Sequence, residues 1–219
     1  MMQDKEQFNL IKAIVLISVA TGIVGISLGS VAASFDVPMW IPLLLSLTVL
    51  AGAAEFTFIG MIATGTNPIF AALTGILINL RHLPFGLSVA TFIEKNAYRF
   101  IACHIMNDES VMFGLSQQED QAKQKAYWMC GLGIAILWPI GVFIGYILSK
   151  NIPDIYVFGI DAAFPAILFA LILPMLKNKT TRHRVFLGST LSVASIPLLP
   201  TGLPVLVSML GLLLKGKSK

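Results

Sequence analysis

Residues 13–35 carry no Asp, Glu, Lys or Arg, and about 20 consecutive apolar residues wound as an α-helix cross the hydrocarbon of a bilayer. The pattern recurs along the chain. Residues 40–64 contain only Glu55, 69–93 only Arg81, 155–176 only Asp161, and neither 126–149 nor 185–214 contains any charge of this kind. Charged residues make up 12% of the 219, against roughly 25% in soluble globular domains, and the mean hydropathy is +0.83. These runs predict an all-α, polytopic integral membrane bundle, a single domain over 1–219. About six to seven hydrophobic segments are expected, some of them broken or re-entrant.

Several runs have internal character. Ser18, Gly22, Gly25, Gly29 and Ala33 recur at three- and four-residue spacing on one face of the first run, and small residues let helices approach closely in lipid. Residues 40–64 and 69–93, joined by Gly65-Thr66-Asn67-Pro68, are expected to form a helical hairpin. The 126–149 run should kink near Pro139, because proline removes a backbone donor. The 185–214 run is punctuated by Pro197, Pro200, Gly202 and Pro204, which predicts either two half-helices around a re-entrant break or a surface turn. Residues 94–125 mix Arg99, His104, Asp108, Glu109, Glu119 and Asp120 with apolar side chains. They read as an amphipathic, weakly hydrophobic span that keeps the N-terminus and the loops at 117–125 and 177–184 cytoplasmic.

The remaining features narrow the function. The net charge of +4 is scattered over loop ends, with one cluster at Lys177, Lys179, Arg182, His183 and Arg184, a positive-inside pattern and not a nucleic-acid footprint. Residues Gln3, Asp4, Lys5 and Glu6 lack the basic flank of a removable signal peptide. Cys103 and Cys130 show no redox or metal spacing. With no His-Glu-x-x-His zinc helix or Gly-x-Gly-x-x-Gly turn, neither enzyme activity nor a cofactor is expected, and no metal site is assigned.

An ionisable residue at membrane depth costs at least about 2.5 kcal/mol on insertion scales and marks a substrate, ion or proton path by default. Glu55 lies among small neighbours in Ala51-Gly52-Ala53-Ala54-Glu55-Phe56; its plainer reading is a buried structural pair with Arg81. Asn79, Arg81 and His82 form a compact polar block. Arg81 can fork onto a carboxylate or snorkel to a head group, and His82 can exchange protons or simply hydrogen-bond a neighbour. Asp161 can bind substrate or cap a helix beginning near Ala162. Asp108 and Glu109 are adjacent on a helix, four residues beyond His104, either in a site or on a solvated surface.

The segments Ala51-Gly52-Ala53-Ala54-Glu55-Phe56, Leu77-Ile78-Asn79-Leu80-Arg81-His82-Leu83, Asn107-Asp108-Glu109-Ser110 and Gly159-Ile160-Asp161-Ala162-Ala163-Phe164-Pro165-Ala166 resemble, in kind and order, the signature segments of AzlC-type permeases. The sequence departs from that pattern at Glu55, often glutamine, at Asn107, commonly threonine, and at Phe85, often tyrosine. The resemblance implies a secondary transporter that exports branched-chain amino acids across the bacterial cytoplasmic membrane by an ion or proton gradient. It also implies a small hydrophobic AzlD-type subunit as partner. A zwitterionic substrate then needs a donor for its carboxylate, from Arg81 or a half-helix N-terminus, and an acceptor for its ammonium, from Glu55 or Asp161. A non-transporting scaffold or regulatory subunit is the alternative.

Overall fold

A computed structural model describes residues 2–151, 169, 173, 175–199, 203–208 and 210–211; Asp161 and most of the run around it lie outside the described residues. No strand occurs among them. Eight helices lead the chain: α1 (Met2–Ser34), α2 (Trp40–Thr48), α3 (Gly52–Ala63), α4 (Pro68–Asn79), α5 (His82–Val89), α6 (Arg99–His104), α7 (Asp108–Leu115) and α8 (Asp120–Asn151). A 3₁₀ turn at Met175–Lys177 precedes the helices Lys179–Ser195 and Leu203–Ser208.

The expected small-residue face of α1 finds its partner in α8, which carries glycines of its own. A Cβ on Gly29 would fall on the Val142 carbonyl, and one on Gly145 would fall on the Ile26 carbonyl. The two backbones therefore touch, and the Ser30 hydroxyl donates to the Gly145 carbonyl at 3.0 Å across the contact. Without a hydrophobic drive between helices in lipid, such close backbone packing holds them together. At the far end the Tyr146 hydroxyl donates to the Val37 carbonyl at 2.9 Å. Lys150 pairs there with Asp36 at 2.6 Å, holding that exposed carboxyl below its ordinary pKa by hydrogen bond and charge. Helix α8 runs unbroken through Pro139.

The predicted hairpin exists, but each arm is two helices. The first arm breaks between α2 and α3, where Leu50 takes a left-handed φ of +49°, a conformation costly for a branched-chain residue. The second breaks between α4 and α5, at Leu80 and Arg81. Gly65, at φ +82°, makes the turn between the arms, and Asn67 caps α4 by accepting from the Ile69 amide at 2.9 Å, with Pro68 in the first turn.

The expectation of a further span at 94–125 is corrected. This stretch folds as α6 and α7, six and eight residues long, each too short to cross alone, and the orientation argued from a span there loses its support. Both short helices pack on the first half of α8, with Tyr127 donating to the Ala102 carbonyl at 2.6 Å and Gly131 seated against Ile105. Lys179–Ser195 and Leu203–Ser208 lie against each other, Gly188 meeting Ser208, so the break in the last run separates two packed helices.

Three described helical segments are long and apolar enough to cross a membrane: Gln7–Ser34, Pro68–Val89 and Asp120–Asn151. Their outward faces are apolar, with Val19 and Ile23 on α1, Phe70 and Leu73 on α4, and Ile136 and Phe143 on α8 all exposed. Water would penalise such a surface; lipid does not.

Because the α1–α8 contact leaves no room for side chains, Gly29→Val or Gly145→Val is expected to cost about 3 kcal/mol or more by overpacking. Gly60, with nothing within 4 Å of its would-be Cβ, is the control: Gly60→Ala should stabilise α3 by up to about 1 kcal/mol. Thermal unfolding of detergent-purified variants measures both, and equal tolerance at Gly29 and Gly60 would contradict the packing.

Candidate functional site

The break before α3 exposes backbone amides inside the bundle, and unpaired backbone groups there are costly. Glu55 answers this locally. From the first turn of α3 its Oε1 accepts the Ala51 amide at 2.8 Å, and its Oε2 accepts the Trp138 indole N–H from α8 at 3.0 Å. The side chain is 1% exposed, and a carboxylate at a helix N-terminus is favoured by the helix dipole. Gly52 makes the arrangement possible, since a Cβ there would lie 2.9 Å from the Trp138 ring. The buried Glu55–Arg81 pair considered from sequence does not form.

Arg81 instead meets Asp108. Its Nη1 lies 2.9 Å from Asp108 Oδ2, and the two side chains are 35% and 46% exposed. Asp108 is placed there by a capping box: Asn107 Oδ1 accepts from the Ser110 amide at 2.8 Å, and the Ser110 hydroxyl accepts from the Asn107 amide at 3.0 Å. The Asn107-Asp108-Glu109-Ser110 element is thus the start of α7, with both acids in its first turn. His82 closes the end of α4, its Nδ1 donating to the Asn79 carbonyl at 3.0 Å. Its ring also stands edge-on to Phe85 with centroids 6.0 Å apart.

Arg81, His82, Asn107, Asp108 and Glu109 line part of an open cavity of about 360 Å³, within the usual range for small-molecule sites. Its lining is apolar at Ile17 and Val24 of α1 and at Ile134 and Trp138 of α8, and polar at those five residues. The floor is the broken backbone at Leu50, Ala51, Gly52 and Ala53. Behind it, a second cavity of about 220 Å³ is lined by Glu55 and Asn79 among apolar side chains, and Asn79 Oδ1 is buried without a hydrogen-bond partner.

The structure therefore gathers Arg81, His82, Asp108 and Glu109 around one cavity and sets Glu55 and Asn79 on the other side of the α3 start. Sequence reasoning missed Trp138, which lines the first cavity and holds Glu55, and the capping role by which Asn107 aims Asp108. A polar-edged indole beside Pro139 in an otherwise apolar helix was the available signal for Trp138. Among the described residues no His, Cys, Asp and Glu group could hold a metal. A nucleophile elbow and a phosphate loop are not expected of this chain, yet two spacings in it fit those motifs. Gly25-Ile26-Ser27-Leu28-Gly29 fits a nucleophile elbow, but it lies within continuous helix α1 and lacks the strand-to-helix turn the elbow needs. Gly211-Leu212-Leu213-Leu214-Lys215-Gly216-Lys217-Ser218 fits a phosphate loop, which must follow a strand, whereas helix Leu203–Ser208 comes before it.

Removing the Glu55 carboxylate strands two buried donors, so Glu55→Ala should cost about 1–3 kcal/mol. Glu55→Gln should cost less, because its amide oxygen still accepts one of them. Thermal unfolding followed by tryptophan fluorescence reads both, and a Glu55→Ala protein as stable as the unmodified chain would contradict the capping role.

A family model described as AzlC protein matches residues 16–152, a stretch that runs from α1 through the cavity to the end of α8. The branched-chain amino acid transport protein AzlC of Bacillus subtilis (strain 168) is 23% identical over 198 residues, covering 86% of this chain and 76% of that protein. No solved structure matches the chain. With more than half its length matched by the family model, the chain belongs to the AzlC family.

Proposed function

We propose that this chain is the large subunit of a secondary transporter that exports branched-chain amino acids across a bacterial cytoplasmic membrane, with a small AzlD-type membrane subunit as its partner. The observation that carries the reading is the cavity's division. Opposite charges stand side by side in its lining, at Arg81 and Asp108, while Ile17, Val24, Ile134 and Trp138 supply apolar lining from α1 and α8. An amino acid with an aliphatic side chain has the same division, a zwitterionic head and a hydrocarbon tail. The relative's name, a branched-chain amino acid transport protein, supports the substrate class.

Energy for export has to come from an ion or proton gradient in this proposal. Glu55 is the candidate coupling group, because it touches both the break that floors the cavity and the Trp138 that walls it. A change in its protonation alters the acceptor on which both contacts depend. Asp161, outside the described residues, keeps its proposed place as a second acceptor.

Leucine and valine flux in proteoliposomes, with and without the small subunit, tests the reading; a folded protein that moves neither supports the scaffold alternative. Ala53→Leu places a larger side chain on the cavity floor and should raise KM for leucine by about tenfold or more while the protein remains folded. Glu55→Gln should flatten the pH dependence of flux, and an unchanged pH profile would remove Glu55 from coupling.

A further inference from the structure

Resting on the transport reading above, we propose that the Arg81–Asp108 ion pair is the element that selects a zwitterion. Substrate binds by partner exchange, its carboxylate taking Arg81 and its ammonium taking Asp108.

The placement of the pair is the first support. Arg81 belongs to the break between α4 and α5, Asp108 opens α7, and both line the same cavity. The pair therefore closes across the polar wall, in the place where a substrate head group has to go. Its partial exposure, 35% and 46%, makes it weakly held, since ion pairs open to solvent gain little over hydrated charges. Parting the two charges is consequently cheap when each is given a new partner.

The second support is an unused donor. Arg81 Nε is buried and has no hydrogen-bond partner, so Asp108 leaves part of the guanidinium fork unfilled. In the ion-paired state Nε is shut off from solvent, so a substrate carboxylate fills the fork bidentately, the geometry guanidinium groups favour, only as the side chain turns away from Asp108. Asp108 is then released to meet the ammonium, with Glu109 beside it on the same wall.

Exchange accounts for selectivity by charge balance. A zwitterion replaces one ion pair with two and leaves no charge alone. A carboxylate lacking the amine leaves Asp108 without a partner, and an amine lacking the carboxylate leaves Arg81 without one, so each half trades one ion pair for one where the zwitterion gains a second. Hydrocarbon contacts with the apolar lining are the same for all three molecules, so that lining chooses the side chain and the pair chooses the head group.

The test compares leucine with its two halves, 4-methylpentanoate and 3-methylbutylamine, as competitors of radiolabelled leucine, in flux with proteoliposomes and in equilibrium binding to purified protein. With the unmodified protein each half should compete at least about tenfold less well than leucine. Asp108→Asn, which leaves Arg81 without a carboxylate, should move 4-methylpentanoate up relative to leucine. Arg81→Gln should do the same for 3-methylbutylamine. Arg81→Lys, keeping the charge, should retain the preference for the zwitterion at weaker affinity. A pair that merely braces the fold would weaken leucine in these variants without reordering the halves, and an unchanged order in both Asp108→Asn and Arg81→Gln overturns the proposal while leaving transport intact. Unmodified protein that neither binds nor moves leucine overturns the transport reading and this selection mechanism with it.

Discussion

Backbone amides and carbonyls that leave a helix inside a bilayer must be met by protein, because hydrocarbon offers them nothing. Two helices of this chain break within the hairpin, and Glu55, Arg81 and His82 are found where those breaks are. Glu55 takes the Ala51 amide at the start of α3. His82 takes the Asn79 carbonyl at the end of α4. The same side chains that repair the backbone thereby bring charge and hydrogen-bonding capacity to the interior, and the cavity is what the repaired breaks enclose. Structural and functional readings of Glu55 are not rivals in such an arrangement, since a group that holds the floor of a cavity is well placed to change it.

The breaks are tolerable because the rest of the bundle is rigid around them. Helices α1 and α8 meet backbone to backbone through Gly25, Gly29, Gly141 and Gly145, an approach that fixes their separation and rotation. That fixity presents Ile17 and Val24 from α1 together with Ile134 and Trp138 from α8 as one apolar wall. Trp138 then links the rigid pair to the broken hairpin through its indole bond to Glu55. Helices α6 and α7, docked on α8 through Tyr127 and Gly131, carry Asp108 to the cavity. One continuous helix, α8, thus organises both the apolar and the polar lining.

What could be read from the sequence follows from how local each signal is. Helix class, the small-residue face of α1 and the hairpin turn at Gly65 rest on periodicity and backbone preference within a few residues, and they were legible. The pairing of that face with Gly141 and Gly145 was not, because α1 and α8 are far apart in sequence and spacing does not name a partner. Arg81 and Asp108 were each singled out, yet the sequence offered Glu55 as the partner for Arg81: both sit in apolar runs, and nothing local shows that Glu55 is already occupied by its own helix start. The 94–125 stretch was misread as a span because a capped short helix and a weakly apolar span share the same mixture of residues. The Asn107-to-Ser110 capping box, with its polar residues three apart, was the sign that a helix begins there.

Water-soluble thiol labelling at position 53 gives the decisive reading. With exposed Cys103 replaced by serine, a cysteine introduced by Ala53→Cys lies on the floor of the proposed substrate cavity. A membrane-impermeant maleimide should label it in proteoliposomes, and leucine should slow the labelling. Failure of the reagent to reach position 53, or labelling that leucine leaves unchanged, would contradict a substrate cavity built on the α2–α3 break.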